Sequence, residues 1–357
     1  RLFSKNKLAI LGLVIFILFF FTALVGLMLT SGPDPTLDPA VVRLQEKLLP
    51  PLSHPRGDLE AEEVPALGVY LFGTDNLGRD VFSRMLQGAW VSLTVGFVAV
   101  GISVIVGIIM GGIAGYFGQR TIEMDHILMA ALLVAGVSLL ALGQTMEGGV
   151  ALAAGVLWIL AFRVGGGRIK RSMPIKWLRW GLFSVDTLIM RIVDIMLCFP
   201  SFFLILTVVA LLPASIYNIM IVIGLTSWMG ATRFVRAEFL SLREQDFVTA
   251  ARALGVGDLR IIFRHMMPNA IAPVLVSATI GIATAILTEA GLSFLGFGVP
   301  PPHATWGNIL SDGKRFIFDA PWLTFIPGTA ILIVVLCFNL FGEGLRDAMN
   351  PKLRERH

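Results

Sequence analysis

Apolar residues in this chain form long uninterrupted runs that are separated by short polar segments. The first run, Leu8 to Thr30, exceeds the roughly 20 residues that a helix needs to cross about 30 Å of hydrocarbon. Further runs of similar character follow, so the pattern predicts an all-α polytopic membrane protein with about eight transmembrane helices. The predicted spans are 8–30, 91–116, 126–144, 148–163, 187–212, 216–232, 270–298 and 322–342.

The composition agrees with this pattern, because 56% of the residues are hydrophobic and only 15% are charged. The net charge of +4 does not indicate nucleic-acid binding, since the basic residues lie in short segments between apolar runs. We therefore expect membrane lipid around the chain and no nucleic-acid partner. The first run is interpreted as a permanent helix rather than a secretory signal, because it is too long and lacks a small-residue cleavage site.

The distribution of basic residues predicts the orientation. Lysine and arginine are concentrated in the segment 163–179 and in the tail 346–356, and the positive-inside rule assigns both to the cytoplasm. An even number of spans then puts both termini in the cytoplasm and the loop 31–90, with an acidic cluster at 60–63, outside. The predicted location is the cytoplasmic (inner) membrane of a prokaryote.

Small residues predict close helix packing in the second span. Gly107, Gly111 and Gly115 recur every four residues, a spacing that lets another helix backbone approach. Packing within the chain and packing against a partner subunit are both compatible with this stripe. Cys198 and Cys337 lie in apolar runs without metal or disulfide spacing, and are interpreted as packing residues.

The sequence contains no signal of catalysis. It lacks the G-x-x-x-x-G-K-[ST] loop of ATPases, and the segment at Gly313-Lys314 has Asn308 where the first glycine belongs. The five histidines are scattered, with no zinc-ligand spacing. We therefore expect no catalytic residue and no metal site in this chain.

Three ionisable residues lie within predicted spans, where charge is costly and often functional. Arg191 and Asp194 are three residues apart on one helix, so they are interpreted as a structural pair or a functional one. Glu289 lies late in an outward-running span. A hydrogen-bonded structural role and a role in gating are both open for it.

The polar segment 243–268 lies between two predicted spans. In it Phe247, Ala250, Ala251 and Leu254 follow helical spacing and predict a short helix with a narrow apolar face. Gly255 is expected to end that helix. Asp258 is expected to cap a second helix, which ends at Pro268. A face with small alanines suits docking into a groove of another protein, although a plain amphipathic linker would have the same pattern.

Thr249-Ala250-Ala251, Gly255 and Met267-Pro268 resemble, in order and spacing, the EAA loop of ATP-binding-cassette importer permeases. Thr249 stands where that pattern has glutamate. Five further segments resemble the dipeptide, oligopeptide and nickel branch of that family, in its C-type subunit. They are 72–84 (FGTDNLGRDVFSR), 189–196 (IMRIVDIM), 289–296 (EAGLSFLG), 305–307 (TWG) and 338–347 (FNLFGEGLRD).

This resemblance implies a type I importer. The expected partners are a sister permease subunit, two ATPase subunits that bind ATP and Mg²⁺, and an extracytoplasmic solute-binding protein. This chain itself would bind no cofactor. The residues expected to couple it to an ATPase are Phe247, Thr249, Ala250, Ala251, Arg252, Leu254 and Gly255. The residues expected to face the binding protein are Gly73, Thr74, Asp75, Gly78, Arg79 and Asp80.

The resemblance also defines the expected domains. They are an N-terminal transmembrane helix (1–30), an extracytoplasmic loop (31–90), a second transmembrane helix (91–120), an inserted hairpin with a basic cytoplasmic loop (121–184), the permease core (185–345) and a cytoplasmic tail (346–357). The insertion is either a lipid-facing appendage or a contact for another subunit. Import of di- or oligopeptides by alternating access is the function implied; the alternative is a secondary transporter or channel without ATPase partners.

Overall fold

The structure is a computed structural model that describes residues 6–56, 64–123, 137–138, 149–150, 152–153 and 181–349. Its contacts divide the chain into two compact units. One comprises Arg1–Gly112 and Ile195–His357, and the other comprises Ile113–Asp194. The acidic cluster at 60–63, most of the segment 121–180 and the end of the basic tail lie outside the described residues.

Helices make up most of the described chain. In order they are α1 (Lys7–Thr30), a 3₁₀ turn (Leu44–Glu46), α2 (Val81–Phe117), α3 (Val185–Cys198), α4 (Ser201–Leu211), α5 (Ile216–Thr226), α6 (Trp228–Arg243), α7 (Asp246–Ala253), α8 (Asp258–Arg260), a π-helical turn (Ile261–Met266), α9 (Met267–Phe294), α10 (Trp306–Gly313), a second 3₁₀ turn (Lys314–Phe316) and α11 (Trp322–Met349). Strands β1 (Thr121–Glu123) and β2 (Gly181–Ser184) are antiparallel, and Thr121 pairs with Ser184. The two ends of the segment 121–184 therefore lie side by side.

The described helices confirm the polytopic all-α prediction. Five helical stretches are long and apolar enough to cross a membrane: Lys7–Thr30, Val81–Phe117, Ile216–Arg243, Asp258–Phe294 and Trp322–Met349. Helices α3 and α4, bent by 83°, make a sixth if they form one broken span. The predicted spans 126–144 and 148–163 fall outside the described residues, apart from a few helical positions. Helix α2 begins at Val81, where Asp80 accepts from the Ser83 amide, and its 37 residues contain the predicted span 91–116.

Helices α1, α9, α10 and α11 pack together in the first unit. Trp306, Leu323 and Ile286 are among the largest side chains with almost no exposed surface, and they belong to one continuous core. Cys337 is buried there, and its thiol donates to the Gly12 carbonyl at 2.9 Å. Cys198 is exposed in the isolated chain, so its interpretation as a packing residue was wrong. An apolar segment in a membrane protein does not need to bury every side chain in protein.

Pro268 does not end the second helix of the 243–268 segment. The chain widens into a π turn at 261–266, where the Met267 amide bonds to the Ile262 carbonyl five residues back, and then continues as α9. Pro268 lies in the first turn of α9, where a missing amide proton is tolerated. The N-cap of α8 is Gly257 and not Asp258, which is the first helical residue.

The glycine stripe of α2 brings that helix against α6. A Cβ atom built on Gly107 would lie 2.4 Å from the Ala231 Cβ, and one built on Gly111 would lie 2.6 Å from the Thr232 carbonyl oxygen. Real Cβ atoms essentially never come this close to other heavy atoms. These two glycines therefore serve packing within the chain, which was one of the two interpretations of the stripe.

We expect Gly111→Ala to lower the free energy of unfolding by about 1–3 kcal/mol, because backbone atoms of α6 must move to admit the methyl group. The matched control is Gly101→Ala on the same helix, where an added Cβ meets nothing within 4 Å. Thermal unfolding in detergent measures the stability of both variants, with labelling of the buried Cys337 thiol as the signal and Cys198 replaced by serine. Equal stability of the two variants would contradict the packing assignment.

Candidate functional site

Helix α7 presents an apolar face away from the rest of the chain. Phe247 and Ala250 are exposed, and Leu254, at the end of the helix, is 83% exposed. On the opposite side Val248 and Ala251 are buried, because α7 packs against the π-helical turn 261–266. The predicted apolar face was therefore partly wrong, since Ala251 faces inward and only its neighbours remain free for a partner.

A glycine turn closes α7. Gly255 has φ +75°, its amide bonds to the Arg252 carbonyl at 3.0 Å, and the Val256 amide bonds to the Ala251 carbonyl at 3.1 Å. This pair of bonds is the Schellman motif that commonly ends helices at a glycine. The predicted end of the helix at Gly255 is confirmed. A Cβ atom at Gly255 would meet nothing within 4 Å, so the backbone conformation alone favours glycine.

Thr249 stands at the position that differs from the EAA pattern. Its hydroxyl donates to the Asp246 carbonyl at 2.9 Å, within its own helix, and the side chain is exposed. Arg252 is also exposed on this helix. At the position where the pattern has a carboxylate, this chain has a threonine, and the hydroxyl proton of that threonine is already used in a hydrogen bond within the helix.

The loop before α2 is fixed by a cluster of two arginines and two aspartates, most of which is buried. Arg79 Nε lies 2.7 Å and Arg84 Nη1 lies 2.5 Å from Asp75 Oδ2, and both arginines also reach Asp312 Oδ2, at 3.0 and 2.9 Å. Asp75 has no exposed surface. The charges balance, as buried charges require. We call Asp75, Arg79, Arg84 and Asp312 the ion cluster.

The other loop residues predicted to face a binding protein also have structural positions. Asp80 caps α2 by accepting from the Ser83 amide at 3.0 Å, and the Thr74 hydroxyl accepts from the Leu49 amide at 2.8 Å. Gly73 and Gly78 have positive φ and no room for a Cβ atom. Asp80, Thr74 and the two glycines therefore shape the loop. Contact of this loop with a binding protein stays a prediction.

Glu289 lies in a hydrogen-bonded network between α2 and α9. It has no exposed surface, it accepts from the Ser293 hydroxyl at 2.6 Å, and the Ser92 hydroxyl lies 3.5 Å away. Thr305 extends the network through Ser293. The hydrogen-bonded position of Glu289 is seen, and a role in gating stays a prediction.

The predicted pair of Arg191 and Asp194 is not formed. Both side chains are exposed on α3, and none of the ion pairs found among the described residues joins them. Asp194 has another interaction, and an exposed pair with Arg191 would add little attraction.

Sequence reasoning missed Asp312 and Asn308. Asn308 accepts from Arg84 at 3.3 Å and caps α10 together with Thr305. A threonine followed three residues later by a side chain that can bond back is a recognisable capping signal. Asp312 has no comparable signal, because its arginine partners lie more than 220 positions earlier.

Two cavities lie along α9. One, of about 230 Å³, is lined by Ser103, Ser227, Thr284 and Thr288 among small residues of α2, α6 and α9, and we call it the hydroxyl cavity. The other, of about 570 Å³, lies between α6, α9 and α11 and includes Glu238 and Arg346, and we call it the charged cavity. Ser277 and Ile280 line both.

Comparison with known families gives two matches in this chain. The model of the binding-protein-dependent transport system inner membrane component matches residues 179–355. The model of the N-terminal transmembrane domain of oligopeptide transport permease C matches residues 1–51. The first match includes α7, the glycine turn, α9 with its residues that line the two cavities, and α11.

Curated relatives match almost the whole chain. The dipeptide transport system permease protein DppC of Alkalihalophilus pseudofirmus is 37% identical over 351 residues, which are 98% of this chain and 88% of that protein. The oligopeptide transport system permease protein OppC of Bacillus subtilis is 31% identical over 353 residues, which are 99% and 88% of the two chains. Among solved structures, the inward-facing MetNI methionine ABC transporter matches at 15% identity, with a TM-score of 0.44, over 76% of this chain and 98% of that one.

Proposed function

Because this chain belongs to the family of binding-protein-dependent transport system inner membrane components, in its peptide-permease branch, we propose that it imports di- or oligopeptides as the permease subunit of an ATP-driven transporter. The relatives named for dipeptide and oligopeptide transport support the choice of solute. In this proposal a sister permease completes the pathway, and solute passes between the two subunits by alternating access.

The observation that carries the proposal is the exposed face of α7. Phe247, Ala250 and Leu254 lie on a polar segment between two membrane spans, where exposed apolar side chains mark a protein interface. The Schellman turn at Gly255 and the packing of Val248 hold this face in place. We assign it to docking with one ATPase subunit, so that closure of the ATPases around ATP and Mg²⁺ moves α7 and the spans attached to it.

The orientation follows from the basic segments and supports the same assignment. With the tail in the cytoplasm, α7 and the ends of α6 and α11 are cytoplasmic, whereas the ion cluster lies at the outer side. An extracytoplasmic binding protein would then meet the surface around the loop that the ion cluster holds. The hairpin and basic loop at 121–184, most of which lies outside the described residues, remain a prediction.

Disulfide crosslinking tests the docking assignment. Ala250→Cys, in a chain with Cys198 and Cys337 replaced by serine, is expected to crosslink to an engineered cysteine in the groove of its ATPase partner. ATP binding should change the yield, because the interface moves. The matched control is Phe318→Cys, at an exposed position on the opposite side of the membrane in this proposal. Equal crosslinking at both positions, or at neither, would contradict the assignment.

The alternative function is a secondary transporter or channel that works alone. Charges within spans serve coupling ions in such proteins. In this chain the buried Glu289 is bonded to serines of two helices, and the ion cluster is internally neutral. Neither arrangement favours ion coupling over a structural role.

A further inference from the structure

The charged cavity has the chemistry of a ligand site. Its volume of about 570 Å³ is within the range of small-molecule pockets. Most of its lining is apolar, including Phe234, Pro273 and Val276. Glu238 from α6 and Arg346 from α11 are the two charged side chains in the lining. Such a combination of apolar walls and a few polar groups is typical of sites that fix the orientation of a ligand.

The two charges are not used by the protein itself. Within the described part of the chain, neither Glu238 nor Arg346 makes an ion pair or a hydrogen bond to another side chain. Glu238 is half-buried and Arg346 is exposed. Opposite charges that face one cavity without pairing are complementary to a ligand that carries both signs.

The hydroxyl cavity lies next to the charged cavity along α9, because Ser277 and Ile280 line both.

The chemistry of the charged cavity matches a short peptide. Asn269 and Ser277 also line it, and the Asn269 side-chain nitrogen donates to the His265 carbonyl at 2.7 Å, which leaves its Oδ1 able to accept from an amide. Amides occupy the middle of a peptide, and an ammonium and a carboxylate occupy its ends. A zwitterionic lipid headgroup shares the two charges but has no row of amides.

We propose that the charged cavity holds a peptide on its way through the membrane, with Glu238 at the ammonium end, Arg346 at the carboxylate end, and Asn269 and Ser277 near the amides between them. This inference rests on the proposed function and names the residues that touch the solute. It also predicts a preference for peptides with free termini at a site within the permease, independent of selection by a binding protein.

The test is protection of a cysteine in the shared lining. Ser277→Cys, with Cys198 and Cys337 replaced by serine, is purified in complex with the sister permease and ATPases and labelled with a thiol reagent. We expect trialanine to slow labelling at a concentration about tenfold lower than N-acetyl-trialanine or trialanine amide, because each blocked peptide lacks one charge.

Charge removal then assigns each end. In Glu238→Gln, acetylation of the peptide should no longer weaken its protection of the cysteine, whereas amidation should still weaken it. In Arg346→Gln, amidation should no longer weaken the protection, whereas acetylation should still weaken it. Glu343→Gln on α11 and Arg315→Gln beyond α10, both exposed and outside the cavity, are the controls and should retain both differences. Equal protection by free and blocked peptides, or no protection, would overturn the inference.

Two further measurements separate the possible failures. The cysteine is also labelled without peptide, in vesicles of phosphatidylethanolamine and in vesicles of phosphatidylglycerol alone. Slow labelling in the first and fast labelling in the second would assign the cavity to a lipid headgroup and overturn the peptide assignment. ATP-driven uptake of trialanine by the wild-type complex is measured in parallel. Uptake without charge-dependent protection refutes this inference alone, whereas charge-dependent protection without uptake refutes the proposed function.

Discussion

An Asp75→Ala chain is expected to lose about 3–5 kcal/mol of unfolding free energy, the typical cost of removing one partner of a buried ion pair. Arg84, whose side chain is 4% exposed, would keep only the partly exposed Asp312 as a carboxylate partner. Arg79 would lose its 2.7 Å contact as well. The loss should appear as a lower unfolding temperature in detergent, followed through the buried Cys337 thiol.

A second ion pair in the chain serves as the control, because its removal is not expected to change the unfolding free energy strongly. Arg243 and Glu244 lie 3.1 Å apart, but the Glu244 side chain is 72% exposed. Glu244→Ala should therefore change the unfolding free energy by less than about 1 kcal/mol. If Asp75→Ala were as mild as Glu244→Ala, the ion cluster would not be what holds the loop before α2.

Gly255→Glu is expected to abolish most peptide uptake while the ATPases continue to hydrolyse ATP. The residue has φ +75°, which costs other L-residues about 1–2 kcal/mol, so a glutamate there favours a different end to α7. The exposed face of Phe247, Ala250 and Leu254 would then meet the ATPase in the wrong orientation. Uptake per ATP hydrolysed, measured in vesicles with all subunits and the binding protein, should fall at least about tenfold.

Two control variants separate backbone conformation from charge. Gly255→Asn should retain most uptake, because asparagine tolerates the left-handed region better than other residues. Gly257→Glu adds the same charge two residues away, at φ −65° and in open space, and should also retain it. Full transport by Gly255→Glu would refute the docking assignment of α7.

The sequence predicted those parts of the fold that depend on local pattern. Hydrophobic runs long enough to span a membrane predicted α1 and α11 closely, because few other structures satisfy an apolar backbone in lipid. Gly255 was recognisable because only a positive φ explains a glycine at that point in an amphipathic segment. The stripe at Gly107 and Gly111 predicted a close helix contact for a similar reason.

The features that the sequence did not predict depend on distant or competing interactions. Asp312 joins Arg84 across 228 positions, and no local pattern encodes that contact. Pro268 was expected to end a helix, but the π turn before it changes which carbonyls accept hydrogen bonds. In the sequence Glu238 and Arg346 are ordinary charges at the ends of spans. Only the packing of α6, α9 and α11 brings them to one cavity.

The central claim is that this chain moves peptide only with ATPase partners. The most direct test is to purify it gently from its native membrane, identify the proteins that accompany it, and reconstitute that preparation in vesicles. We predict a sister permease and P-loop ATPases in the preparation, with peptide uptake that requires ATP and the binding protein. Isolation of this chain alone, with peptide uptake that needs no ATP, would contradict the account.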